Sequence, residues 1–501
     1  MKKWISLLLA LILSLSLMAG GATAENAEES AEAAEAPVED LVVLQHSAVV
    51  QGQTLHYTTT TGILPVKTEG GTCEVFFMAY TLDGVDDLSA RPVTFAYNGG
   101  PGSSSEFVHM GFLAPRRIAF DENGNVQDFP AQITDNEYSI LDLTDLVFID
   151  PVGTGYSRPA EGADRTEFIG YQNDLRSVGD FIRLYTNRYG RWGSPKYLAG
   201  ESYGTTRSVG LAEYLADTYD LNLNGLMLIS CIHDLTVLLE EQPADLAYVL
   251  YLPTYTADAW YHHKLSPEYQ AMDLEALTEE ARAFAGGEYL SALFRGRNLG
   301  ETEKEQIAER MAALTGLDAA RILGSNLRVT YRDFCKWLLE DEQLVIGRID
   351  GRYTGPLTNG DMGSGAADPS SAANDGIYAA AVNRYISEEL GYHTDRPYYT
   401  SSLEVNALWS FPDGFGRGFV QYDTVYNIMS KNRFLKVWAL GGYYDLATPF
   451  FSAEWFFDHV FINEETAKNF QFTHYPCGHM IYMQEDCLAQ FRREAEAWYA
   501  K

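Results

Sequence analysis

The stretch Lys196-Tyr197-Leu198-Ala199-Gly200-Glu201-Ser202-Tyr203-Gly204-Thr205 decides the reading of this chain. Residues 196–200 form a short apolar run with the composition of a buried strand. Beyond it, Val209, Ala212 and Leu215 fall on one face of a helical pattern. Between strand and helix sits Gly-x-Ser-x-Gly. The pentapeptide alone is unspecific, and as a plain structural turn it would carry only an incidental serine. Its placement gives it meaning. A sharp strand-to-helix turn exposes a serine hydroxyl, and flanking glycines let neighbouring backbone approach closely.

Working outward, short apolar runs at 93–98, 146–150, 196–200 and 226–230 alternate with helical patterns, and strands at 54–60 and 73–82 precede them. Turn dipeptides stand at Asp83-Gly84 and Asn123-Gly124. Buried strands alternating with helices imply an α/β fold around a mainly parallel sheet. From about residue 252 to 342 the pattern is helical. There Thr302 and Glu305 read as a capping box ahead of Ile307, Met311 and Leu314. Residues 357–377, rich in Gly, Ala, Ser and Asp, read as a loop. The strand–helix rhythm resumes at 420–430, 435–440 and 470–475 and closes with a helix at 487–500. The expected architecture is one catalytic fold, 46–231 and 420–501, interrupted by an insertion at 232–419 that is helical at first.

A serine at such a turn needs a general base and a carboxylate to orient it, in the chain order Ser, acid, His. His479 stands in Pro476-Cys477-Gly478-His479-Met480, after the last strand and before the final helix. Its rival, His474, lies inside the strand pattern, where a packed histidine is expected. For the acid, Asp445 follows the 435–440 strand through Gly441-Gly442-Tyr443-Tyr444, whereas Asp458 and Asp486 read as solvated. The run Tyr97-Asn98-Gly99-Gly100-Pro101-Gly102-Ser103-Ser104-Ser105 follows the 93–98 strand. It is either a tight turn or the source of one N–H for a developing oxyanion. Tyr203, next to the nucleophile, would supply the other.

Five segments in order now carry a resemblance: Asn98-Gly99-Gly100-Pro101-Gly102-Ser103-Ser104-Ser105, Phe148-Ile149-Asp150-Pro151-Val152-Gly153-Thr154-Gly155-Tyr156-Ser157, Gly200-Glu201-Ser202-Tyr203-Gly204, Gly442-Tyr443-Tyr444-Asp445 and Gly478-His479-Met480. Together they resemble the serine carboxypeptidase family, read here as a bacterial-type member. The resemblance covers both ends of the catalytic sheet and is weak through the insertion. It implies an α/β-hydrolase fold with a helical cap inserted before the acid strand. It also implies Ser202 as nucleophile, His479 as base and then acid, and Asp445 as its orienter. Gly100 and Tyr203 would form the oxyanion hole. Asn98 and Glu201 would receive the terminal carboxylate of a peptide, which requires Glu201 to be protonated or hydrogen-bonded by Asn98, because two bare carboxylates repel. One departure stands out. The second glutamate that family members often carry after the Gly-Gly-Pro-Gly segment falls here at Phe112, with Glu106 and His109 out of register. Arg116 and Arg117 are an alternative carboxylate site, or else a solvated pair. An esterase or acyltransferase using the same triad is the alternative function, and a binding protein on an inactive scaffold is a third reading.

Composition sets the outer bounds. The 501 residues carry 36 basic and 69 acidic side chains, a formal charge of −33, with 46% hydrophobic content. That apolar content suits a folded chain, and the charge argues against nucleic acid or anionic membrane surfaces as partners. Lys2 and Lys3, an apolar run from Trp4 to Met18 and Ala22-Thr23-Ala24 read as an export signal cleaved after Ala24. The run is too short for a bilayer span, which needs about 20 residues. Cleavage would remove two lysines, taking the charge from −33 to −35, and leave a secreted or periplasmic protein without stable membrane insertion, acting on peptides. Residues 25–45 read as an acidic linker. Five cysteines do not make a disulfide scaffold, and Cys477 and Cys487 are the only locally close pair. No Cys/His spacing resembles a zinc site and there is no His-Glu-x-x-His run, so neither metal nor cofactor is expected. Gly153-Thr154-Gly155 lacks the third glycine of a dinucleotide fingerprint, and His262-His263 reads as surface.

Overall fold

The central strands are mostly apolar and buried along their whole length because both of their faces are covered. In the computed structural model, which describes residues 39–121, 124–126, 128–240, 244–357, 368–412 and 418–500, β1 (Asp40–Val50), β2 (Gln53–Thr68) and β3 (Gly71–Leu82) form an antiparallel meander. The segment expected to be an export signal, residues 25–38 of the expected acidic linker, Asn123 and residues 358–367 lie outside the described residues. Next come β4 (Val93–Tyr97), β5 (Asp145–Ile149), β6 (Lys196–Glu201) and β7 (Gly225–Ile229), each buried at every position. β8 (Lys436–Gly442) and β9 (Phe470–Tyr475) complete the path.

Among the described residues these strands and Arg158–Pro159 form one ten-stranded sheet, in the order β1-β2-β3-β5-β4-β6-β7-β8-β9. β3 pairs with β5 antiparallel, and every pair from β5 through β9 is parallel. The crossovers carry α1 (Tyr171–Arg188) and α2 (Tyr203–Tyr219). Between β7 and β8 run α3 (Asp245–Tyr261), α4 (Leu274–Phe284), α5 (Glu301–Thr315), α6 (Pro369–Arg384) and α7 (Tyr422–Lys431), with shorter helical turns among them. Then α8 (Phe450–Asp458) joins β8 to β9, and α9 (Glu485–Tyr499) closes the chain.

Two apolar cores form. One is built on Phe76, Met78, Phe148 and Trp438, the other on Phe77, Phe95, Leu198 and Leu228. Phe76 and Phe77 are successive residues of β3, so the strand's two faces feed different cores, as its period of two requires. A third core belongs to the helices between β7 and β8 and centres on Leu252, Leu277, Met311 and Phe334. This is the expected mainly parallel α/β-hydrolase sheet. Val209 and Leu215 of α2 are buried as their spacing predicts.

Three expectations need correction. β1 starts at Asp40 and pairs with β2 from its first residue, so 40–45 is strand rather than linker. Its first eight positions are exposed or half-buried, which leaves no apolar alternation to read. α5 starts at Glu301 with Gly300 at its N-cap, so Thr302 lies inside the helix and no capping box forms. Glu301 and Glu303 instead place negative charge at its positive end. Residues 369–377, read as loop, open α6: Asp368 accepts from the Ser370 and Ser371 amides and Pro369 takes the first helical position.

Candidate active site

Ser202 leaves β6 and enters α2 with φ 59° and ψ −128°, a region costly for any side chain. Its amide donates to the Ile229 carbonyl at 2.9 Å, and its carbonyl accepts the Thr205 amide at 2.8 Å and hydroxyl at 2.7 Å. The turn is therefore held from β7 and from α2 together. A Cβ on Gly200 would collide with the Gly204 carbonyl, which is why this turn needs glycine there. The Tyr203 amide, first in α2, has no intrahelical acceptor.

The Gly-Gly-Pro-Gly loop lies against that amide. A Cβ on Gly99 would stand 2.5 Å from Tyr203 N and 2.6 Å from Gly204 N, so only glycine brings Gly100 this close to the elbow. The loop is tied down on its other side: Ser105 donates through both amide and hydroxyl to Asp150 Oδ1 at 2.8 Å. Ser104 N donates to the Thr400 carbonyl at 3.0 Å, and Ser402 N to that of Gly102 at 2.8 Å.

Asp445 and His479 meet as the sequence predicts. His479 Nδ1 lies 2.7 Å from Asp445 Oδ2, and Asp445 is wholly buried. Asp445 Oδ1 accepts the Ala447 and Thr448 amides at 2.8 and 2.9 Å, while the Thr448 hydroxyl donates to Oδ2 at 2.7 Å. With every other acceptor position engaged, Nδ1–H of His479 is directed at Asp445, which leaves Nε2 as the basic nitrogen. Burial by itself would lower the imidazole pKa, but the charge and hydrogen bond of Asp445 outweigh it and raise it above 6.5. The histidine loop reaches the elbow strands: Ser230, just after β7, donates its hydroxyl to the His479 carbonyl at 2.6 Å. Among the described residues the Ser202 hydroxyl makes no hydrogen bond to His479. Such contacts often tighten only in the substrate complex.

Asn98 and Glu201 also come together. Asn98 Nδ2 donates to Glu201 Oε1 at 2.9 Å, and Asn98 Oδ1 accepts the Val108 amide at 3.1 Å. The Asn98 carbonyl accepts from Arg207 at 2.6 Å, and Arg207 is itself paired with Asp174 at 2.7 Å. Burial raises the Glu201 carboxyl to about 7, against the opposing pull of His479, Tyr482 and Asn98.

Some participants carry no motif. Tyr482 donates to Glu201 Oε2 at 2.6 Å. The segment 347–353, deep in the insertion, clamps both loops. Its Arg348 carbonyl accepts Leu446 N, Ile349 accepts His479 N at 2.7 Å, and Gly351 N donates to the Tyr444 carbonyl. Arg352, ion-paired with Asp350 at 2.6 Å, also donates to the Pro476 carbonyl at 3.1 Å. Only the adjacency of Tyr482 to His479 could have drawn attention to it.

The remaining candidates lie as follows. Phe112 stacks on Tyr482 with centroids 4.8 Å apart. Glu106 is buried near Asp150, and His109 pairs with the Tyr80 hydroxyl at 2.6 Å. Arg116 is ion-paired with Asp135 and Glu389 and so is not a free carboxylate receptor, while Arg117 lies over the Tyr138 ring. His474 contacts Glu454 at 3.1 Å. His262 is half-buried, bonded to the Gly351 carbonyl, and His263 is exposed. Cys477 and Cys487 are buried side by side, with their Sγ atoms 2.7 Å apart. No group of three or more metal-ligating side chains occurs among the described residues.

Comparison with known proteins agrees with this arrangement. The crystal structure of Kex1(Δ)p, a prohormone-processing carboxypeptidase from Saccharomyces cerevisiae, superposes over 88% of this chain and 91% of its own with a TM-score of 0.57. At 14% identity this is a likeness of fold. Serine carboxypeptidase-like 33 of Arabidopsis thaliana is 33% identical over 135 residues, 26% of each chain. Pheromone-processing carboxypeptidase KEX1 of Yarrowia lipolytica is 30% identical over 151 residues, 28% of this chain and 22% of its own. The chain thus spans about a quarter of the length of these curated relatives. They are plant and fungal proteins, and nothing in them marks a bacterial type. A family model described as serine carboxypeptidase matches residues 50–335, from the meander through the Gly-Gly-Pro-Gly loop and the Ser202 elbow into the insertion. With more than half of its length matched, and with the fold to go with it, the chain belongs to the serine carboxypeptidase family.

Proposed function

We propose that the protein is an exported serine carboxypeptidase that releases C-terminal amino acids from peptides through an acyl-enzyme on Ser202. The observation that carries this reading is the buried 2.7 Å Asp445–His479 pair beside a strained serine elbow. His479 Nε2 takes the Ser202 proton as the hydroxyl attacks the scissile carbonyl. Asp445 holds the tautomer and stabilises the imidazolium. Gly100 N–H and Tyr203 N–H receive the oxyanion. His479 then protonates the leaving amine, and water releases the acyl group by the reverse proton traffic. Asn98 and protonated Glu201 receive the terminal carboxylate. Residues 232–419 act as the cap over this site, on a catalytic domain formed by 46–231 and 420–501. Residues 1–24 direct export and 25–45 link the signal to the fold, less the part that β1 recruits.

The test is incubation with an N-acyl-Phe-Leu dipeptide, its amide and a small ester. Free leucine released from the dipeptide acid, with the amide cleaved at least tenfold more slowly, is the expected result. Turnover of the ester with none of the dipeptide acid would replace this reading by the esterase or acyltransferase one.

A further inference from the structure

Glu201 is gripped from two sides. Asn98 donates to Oε1 at 2.9 Å and Tyr482 to Oε2 at 2.6 Å. Tyr482 is itself fixed, wholly buried, with its ring stacked on Phe112 at an interplanar angle of 18°. Burial keeps the phenol protonated far above neutral pH, so it is a donor whenever Glu201 is ionised. We propose that Tyr482, backed by Phe112, is the positioning residue that governs when Glu201 can receive a substrate carboxylate. The proposal rests on the carboxypeptidase reading above.

The reasoning is electrostatic. A peptide's terminal carboxylate, with an ordinary pKa of about 3.5, is ionised throughout the working range. It binds beside Glu201 only while Glu201 carries a proton, because two carboxylates in one buried site repel. A donor aimed at Oε2 favours the ionised form of Glu201 and so opposes that proton. Burial lifts the carboxyl to about 7, with Tyr482 and Asn98 pulling it down. The other groups facing Glu201 are His479 and Asp445 from the loops after β9 and β8, and Tyr378 from α6. Tyr378 stays neutral, its phenol raised by burial. His479, raised above 6.5 by Asp445, serves every substrate alike. The ratio of kcat/KM for a free-acid peptide to that for its amide therefore isolates Glu201.

The experiment measures that ratio for N-acyl-Phe-Leu and its amide from pH 5 to 9 in wild type, Tyr482→Phe and Glu201→Gln. In wild type the ratio falls above neutral pH. In Tyr482→Phe, which keeps a ring against Phe112, the fall moves up by about one pH unit, a roughly tenfold higher ratio on the alkaline side, as loss of one charge-assisted hydrogen bond requires. In Glu201→Gln the ratio no longer depends on pH. Tyr482→Met replaces the phenylalanine variant if the latter fails to take a fluorophosphonate at Ser202, the sign of an intact elbow. A midpoint unmoved or lowered in the variant lacking the hydroxyl overturns the role of Tyr482 and leaves the carboxypeptidase reading standing. A wild-type ratio near one at every pH overturns both.

Discussion

On the proposed mechanism Asp445 orients His479 because its acceptor positions are saturated. Two amides and the Thr448 hydroxyl fill its acceptor positions beside the His479 Nδ1–H. Asp445→Asn would put an NH2 or an already occupied oxygen opposite Nδ1 and favour the wrong tautomer. A loss of about 10⁴ in kcat is expected, with the melting temperature changed far less. Equal losses in both would mean that Asp445 is only a core residue. Because Asp445 raises the His479 pKa above 6.5, fluorophosphonate labelling of Ser202 rises with pH through a midpoint above 6.5. In Asp445→Asn that midpoint falls. Ser202, Asp445 and His479 were legible in the sequence because each stands in a Gly-rich loop right after a recognisable strand. Thr448 and Ser230 were not. Thr448 bonds Asp445 from three residues on in the same loop, a turn without a distinctive signature, and Ser230 reaches the His479 carbonyl only because the fold brings two distant loops together.

At the scale of elements, the two loops bearing Asp445 and His479 are held by a piece of the insertion. Residues 347–353 bond to Tyr444, Leu446 and His479 through backbone, and Arg352 locks Asp350 to Pro476. Asp350 and Arg352 are each only 6% exposed in their side chains. Removing one partner of such a pair leaves a buried charge, so Arg352→Met is expected to cost about 3 kcal/mol. Hydrogen exchange at the amides of 477–480 would quicken along with it. Exchange confined to the insertion would show that the clamp does not restrain the histidine loop. The insertion was legible as an interruption, since its helical period breaks the strand–helix rhythm. Its contacts with the acid and histidine loops were not, because an irregular segment has no period. β1 and the start of α6 escaped for related reasons: one is an exposed strand, the other a helix whose start is set by the Asp368 cap and Pro369.

For the whole molecule, buried titratable groups give the large acid excess a measurable consequence. Burial raises Glu201, Glu240 and Glu454 to about 7 and Asp150 to about 6. In the unfolded chain these groups release their protons near pH 4, so stability is lost as pH rises toward 7 and beyond. Burial lowers His109 and His474 to about 3 and His233 to about 4. Their contribution has the opposite slope and is lost only as pH falls below 6.5. As pH rises past that value these three histidines lose their protons in the unfolded chain too and their opposing contribution fades, while His479, raised above 6.5, acts in the same direction as the carboxyls. The melting temperature is therefore expected to fall by a few degrees between pH 6 and pH 8, reinforced by self-repulsion of a chain of formal charge −33. A rise over that interval would contradict these assignments. The central claim, a serine acyl-enzyme formed by this constellation, is tested most directly by mapping the adduct of an organofluorophosphonate by peptide mass spectrometry. The account predicts one adduct, on Ser202, absent in Ser202→Ala and nearly lost in His479→Ala. An adduct on another residue, or labelling of Ser202 that ignores His479, would contradict it.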